Sequence, residues 1–109
     1  MNKVSLIGNV GTVIFKNDKD GSGACFIFSL ATSEKYNDKA GNEVVKTTWH
    51  KVVSFGLIAD NLRKKVITGS RVFVDGKIHA ERREIEGAEP KDEFSIIVNQ
   101  YIIAEPFVK

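Results

Sequence analysis

Hydrophobic and polar positions alternate along most of the chain, with a single change of period near the middle. From Ala24 to Ser33, Phe26, Phe28 and Leu30 fall on one side and Cys25, Ile27, Ser29 and Ala31 on the other, the two-residue repeat of a strand. An earlier strand runs from Val4 to about Phe15, interrupted by Gly8 and Gly11, which predicts a bulge or sharp bend. Between the two lies the turn cluster Asp18-Lys19-Asp20-Gly21-Ser22-Gly23. The polar stretch from Glu34 to Lys46, with Asp38-Lys39-Ala40-Gly41-Asn42 in it, predicts a long hairpin loop. A third strand follows, Thr47-Thr48-Trp49-His50-Lys51-Val52-Val53-Ser54-Phe55, rich in β-branched and aromatic residues and closed by Gly56. There the period changes. Ile58, Leu62 and Val66 recur every four residues among polar neighbours, a short amphipathic helix ending near Thr68-Gly69. A fourth strand spans about Arg71 to Ile78, with Val72, Val74 and Ile78 on one face and a bend at Gly76. An apolar fifth strand spans Phe94 to about Ala104. The acidic, proline-containing segment between them predicts a second long loop.

Three strands, a helix and two strands, with glycine bends, fit an all-β fold: a five-stranded Greek-key OB barrel. An SH3-like barrel has no natural place for the helix. On this scheme Phe26, Phe28, Leu30, Val72, Val74 and the last strand form the core. A length of 109 residues suits one domain spanning residues 1–109. Hydrophobic residues at 42% and charged residues at 28% are ordinary for a globular protein. No apolar run approaches the length of a membrane span, and Met1-Asn2-Lys3-Val4 enters a strand pattern at once, without a signal peptide. Cys25, the one cysteine, has no internal partner and reads as a buried reduced thiol in a cytoplasmic protein.

Charge changes the picture through its placement. The net charge is only +2, less than a strongly cationic nucleic-acid binder would carry. However, Glu81, Glu84, Glu86, Glu89, Asp92 and Glu93 crowd one segment, so the remaining surface is more positive than the total. Catalysis finds no support, since no nucleophile has a base at a recognisable spacing. His50 and His79 lie far apart with no Cys or His at ligand spacing, and no metal or cofactor is expected.

The third strand carries the candidate chemistry. Alternation puts Thr47, Trp49, Lys51, Val53 and Phe55 on one face, so the only Trp of the chain shares a side with a cation and a Phe. Aromatics interleaved with positive charge suit a surface that stacks bases and neutralises phosphates. A barrel strand with two core aromatics fits the same pattern, and the strand alone does not choose between them.

Ordered blocks along the chain point to a family. Asn2-Lys3-Val4, Gly8-Asn9-Val10-Gly11, Phe28-Ser29-Leu30-Ala31-Thr32-Ser33-Glu34, Thr48-Trp49-His50-Lys51-Val52-Val53 with Phe55-Gly56, and Gly69-Ser70-Arg71-Val72-Phe73-Val74-Asp75-Gly76 resemble the bacterial single-stranded-DNA-binding proteins. These are homo-oligomeric OB-fold proteins of replication, recombination and repair. The resemblance implies base stacking by Trp49, Phe55 and Tyr36, a basic neighbour in Lys51, and a subunit contact at His50. It implies single-stranded DNA as partner, assembly as a homodimer or homotetramer, and a cytoplasmic, nucleoid-associated location. Lys3, Lys35, Arg82 and Arg83 are candidate phosphate contacts beside Lys51. In two respects the chain departs from the family. Where a fourth stacking aromatic belongs, it carries Arg83, whose guanidinium plane can still lie on a base. It also stops at Phe107-Val108-Lys109 without an acidic tail, so tail-mediated recruitment of repair enzymes is not supported. A primosomal replication-restart accessory protein of the same family, and an OB module used only for protein–protein contact, are the alternatives.

Overall fold

The computed structural model describes residues 1–18, 23–84 and 86–104. Strands β1 (Val4–Asp18), β2 (Gly23–Asn37) and β3 (Glu43–Phe55) precede helix α1 (Gly56–Lys65), and β4 (Arg71–Arg83) and β5 (Lys91–Ile103) follow it. They close a barrel in the order β1-β2-β3-β5-β4, with β4 returning to β1. All neighbours are antiparallel except β3 and β5, which run parallel and meet at Val52–Ile96 and Val53–Ile97. This is the five-stranded barrel expected, with its helix between the third and fourth strands.

Inward positions fill the bore. Phe26, Phe28 and Leu30 of β2, Val52 of β3, Val72 and Val74 of β4, and Ile96 and Val98 of β5 are buried together with Val10. The Phe26 and Phe28 rings pack 5.7 Å apart at 40°. One polar group joins them: Ser54 is fully buried, and its hydroxyl donates to the Phe26 carbonyl at 2.9 Å. Ala59, Leu62 and Val66 add the apolar side of α1 to the core cluster. Arg63, Lys64 and Lys65 stand in its last turn, where cations complement the helix dipole, and the Arg63 guanidinium lies 4.7 Å over the Phe15 ring.

Glycines permit the tight closure. A Cβ on Gly8 would run into the Ala31 carbonyl, and one on Gly76 into the Ile97 carbonyl, so backbone meets backbone at both points. The β1–β2 register shifts between Val10 and Val13, and the β4–β5 register between Asp75 and Gly76, at the bends expected there.

Both expected long loops are mostly strand. β2 and β3 stay paired from Cys25–Phe55 out to Asn37–Glu43, leaving only 38–42 as the connection. There the Asp38 carboxylate accepts from the backbone of Ala40 at 3.0 Å and Asn42 at 2.8 Å, and Gly41 supplies a positive φ of 83°. Likewise β4 and β5 pair out to Arg83–Lys91 across the acidic segment. Such ribbons lie beyond the barrel with both faces in water, so they lack the apolar alternation that marks a half-buried strand. The turn cluster expected at 18–23 lies largely outside the described residues.

Two core expectations are corrected. Cys25 is half-buried on the outer face rather than buried, because its side of β2 points away from the bore. The last strand is not core throughout. Ile96 and Val98 are buried, but Phe94 is 64% exposed and Ile102 is exposed as well. At Phe94 the alternation runs on past the barrel's end, where no second wall covers it, whereas Ile102 lies on the outer side, paired with Phe73.

Candidate nucleic-acid interface

Strand register builds the outer surface from the residues up. On the side of β3 away from the bore, Val53 pairs with Ile27 of β2, which pairs with Ile14 of β1, while on the other flank Val53 meets Ile97 of β5. Ile14, Ile27, Val53 and Ile97 thus form an apolar row across the strands. Trp49 and Phe55 stand to either side of it on β3, 60% and 55% exposed, with Lys51 between them. Rings so placed keep their faces open to a ligand.

The indole has a prepared seat. A Cβ on Gly11 would come within 2.6 Å of both Trp49 Cζ3 and Ser29 Oγ, so only glycine lets the ring lie across β1. Ser29 Oγ is fixed in turn, accepting from the Thr12 backbone at 2.9 Å and lying 3.2 Å from its hydroxyl. A cleft of about 350 Å³ opens there, lined by Thr12, Ile14, Ile27, Trp49 and Lys51 among others. A second, of about 410 Å³, is lined by Cys25, Ile27, Lys51, Phe55, His79 and Phe94 among others. Ile27 and Lys51 belong to both, so the two form one groove across the barrel. A larger cleft of about 890 Å³, beside Lys65, Arg71 and Tyr101, shares no residue with this groove.

The cations differ in how they are engaged. Lys51 and Arg82 make no ion pair among the described residues. Arg83 donates to the Glu93 carboxylate at 2.9 Å, Lys35 lies 3.9 Å from Glu43, and Lys3 lies 3.6 Å from Asp75. His79 sits 3.3 Å from Glu81. Trp49, Lys51 and Phe55 are therefore brought together on the groove, and Arg83 falls on the side of β4 that carries His79 and Glu81. Lys35 continues the Trp49 side of the ribbon toward its tip. Lys3 stands against β4 and lines neither cleft of the groove.

The side chains of Tyr36 and His50 lie on the reverse side, although His50 also borders the Trp49 cleft. Tyr36 is in strand, not loop: it pairs with Val44 and is half exposed on the side of the ribbon opposite Trp49. His50 shares that reverse side, partly buried, with Nε2 2.8 Å from the Thr32 hydroxyl. Sequence reasoning missed Ile14, Ile97 and His79 as groove residues. They lie on β1, β5 and β4, far from β3 in sequence, so only the register reveals that they meet. Among the described residues no cluster of His, Cys, Asp and Glu could hold a metal ion, and no helix is long and apolar enough to cross a membrane.

A closed five-stranded barrel with open aromatics and an uncommitted lysine on its outer face defines an OB-type binding module. The model of the Single-strand binding protein family matches residues 1–103, and the chain belongs to that family. It is 33% identical over 78 residues to Single-stranded DNA-binding protein 1 of Chlorobaculum tepidum, a match covering 72% of this chain and 48% of that protein. The chain thus spans about half the length of that relative. Among solved structures, the Plasmodium falciparum single-strand binding protein in complex with single-stranded DNA superposes with a TM-score of 0.87 at 31% identity, covering 96% of each chain. A small single-stranded DNA-binding protein from Streptomyces coelicolor shares the fold, with a TM-score of 0.74 at 22% identity over 94% of this chain and 93% of that one.

Proposed function

We propose that this protein binds and protects single-stranded DNA without regard to sequence, as the strand is exposed in replication, recombination and repair. The observation that carries the reading is the pair Trp49 and Phe55, both more than half exposed on one face, with Lys51 between them. Large exposed aromatics on a strand are unfavourable in water unless a partner covers them, and every nucleobase offers a flat face to do so. In this reading bases stack on Trp49 and Phe55 and rest on the Ile14–Ile27–Val53–Ile97 row, while Lys51 neutralises the passing phosphate. Arg82, Arg83 and Lys35 serve the backbone farther along, whereas Lys3, paired with Asp75 and outside both clefts, takes no part. Tyr36, on the reverse of the ribbon, stacks a base only where the strand wraps past the ribbon's edge. Binding involves no bond-making step, so neither a cofactor nor a catalytic group has a part in it. The protein then works in the cytoplasm, on the nucleoid.

The same reading includes assembly with further copies of this chain. Ile7 of β1 pairs with Phe73 of β4, which pairs with Ile102 of β5, an apolar row on the outer surface with Ile7 and Ile102 more than half exposed. A second copy offers the same row, as a two-fold interface requires. His50, away from the groove side, is the other contact assigned to a partner copy.

Fluorescence anisotropy of a labelled oligo(dT), competed with unlabelled single-stranded and duplex DNA, tests the proposal. Single strands should compete and duplex should not, and affinity should fall with salt at a log–log slope of about −0.7 per phosphate neutralised. No binding, or equal competition by duplex, would overturn it.

A further inference from the structure

Beside Phe55 the groove carries too little positive charge for a polyanion. Of the residues lining that cleft, Lys51 is the one free cation among the described residues, while Glu81 and Glu93 bring two carboxylates. These two stand directly opposite each other across β4 and β5, where like charges repel. Each engages a neighbour on its own face: Glu81 lies 3.3 Å from His79 Nε2, and Glu93 accepts from Arg83 at 2.9 Å. Both neighbours are thereby committed, so a phosphate in this cleft needs a second cation from its rim.

The register supplies one. Lys77 of β4 pairs directly with Ile97 of β5, and Ile97 with Val53 of β3. Directly opposed residues share a face of the sheet, so Lys77 stands on the groove side, at the end of the Ile14–Ile27–Val53–Ile97 row. His79 follows it on that same face, about 7 Å farther along β4. Ile97 and His79, its neighbours across and along the strands, both line the cleft. Lys77 itself is exposed and makes no ion pair among the described residues.

We propose that Lys77 is a phosphate contact of the groove, and that the sugar–phosphate backbone runs from Lys51 over Ile97 toward it while the bases face Trp49 and Phe55. The ligand is the backbone of the same single strand, so the proposal rests on the function proposed above. Neither the spacing along β3 nor the family resemblance points to Lys77, because it reaches the groove only through the pairing of β4 with β5.

Anisotropy of labelled oligo(dT) across a salt series, with the full chain, tests the proposal. Lys77→Ala should lower the magnitude of the log–log slope by about 0.7, one phosphate on a single strand. A tenfold rise in salt then costs the variant about fivefold less affinity than it costs the wild type. The Lys51→Ala/Lys77→Ala variant should lose about 1.4 from the slope, and Lys77→Arg should keep the wild-type value. Melting temperatures should match the wild type, because the side chain is exposed. A wild-type slope in Lys77→Ala would overturn the inference and leave the function standing. So would an equal drop in Lys3→Ala, which removes the same charge away from the groove, or a drop that comes only with lowered stability. Failure of the wild-type protein to bind oligo(dT) would instead overturn the proposed function, and this inference with it.

Discussion

Replacing Trp49 with Ala separates a binding surface from a core, because the two readings predict losses of different kinds. A fully buried Trp truncated to Ala destabilises a protein by about 3–5 kcal/mol, transfer and cavity effects together. Trp49 has 60% of its surface in solvent, and its ring lies over Gly11. Scaling by the two-fifths that is covered leaves about 1–2 kcal/mol, or roughly 5–10 °C in melting temperature for a chain of this size. Removing a stacking ring should by contrast cost about 1–3 kcal/mol of binding, a loss of roughly 5- to 150-fold in affinity. The assay pairs thermal melting followed by circular dichroism with oligo(dT) anisotropy at a temperature well below both transitions. The expected variant is folded, modestly less stable and clearly weaker in binding. A melting temperature lowered by 20 °C or more on the same size scaling, or unchanged affinity in a folded variant, would refute the placement of Trp49 on the ligand side.

Gly11→Ala should act on the same ring indirectly. Its Cβ would press on Trp49 and Ser29, so binding should weaken several-fold with a shifted indole emission maximum, as read by titration and fluorescence spectra. Lys51→Ala should flatten the log–log salt dependence by about 0.7, one phosphate contact, whereas Lys3→Ala should leave the slope alone; anisotropy titrations across a salt series check both. Leu62→Ala, at the fully buried contact of α1 with the barrel, should cost about 2–5 kcal/mol in denaturant unfolding with the groove residues untouched. Ile102→Lys, at the exposed end of the Ile7–Phe73–Ile102 row, should lower the assembly mass seen by light scattering while the monomer stays folded.

The fold was legible wherever a strand has one wet and one dry face. Phe26, Phe28 and Leu30 announce the bore because Cys25, Ile27 and Ser29 between them do not enter it. The change of period at Ile58, Leu62 and Val66 located α1 for the same reason, and Gly8, Gly11 and Gly76 marked the bends where the barrel closes. The ribbons were hidden, since Glu34–Lys46 and Glu81–Glu93 have polar residues on both faces and pair through backbone groups that leave no mark in side-chain pattern. Phe94 shows the converse fault: its alternation with Ile96 and Val98 continues after the opposite wall of the barrel has ended. The outward face of β3 could be read from spacing, including the meeting of Trp49, Lys51 and Phe55. Which side of the hairpin Tyr36 occupies, and which residues of β1 and β5 border the groove, depend on register between distant strands, and no local signal carries that.

Trp49 is the only tryptophan of the chain, so the wild-type protein carries its own reporter at the place where the account is most exposed. Titrating its emission with poly(dT) at low salt, then adding salt to the complex, should show strong saturable quenching that reverses as the strand is released. Emission that stays constant through the titration, while an independent readout shows the DNA bound, would contradict stacking on this face.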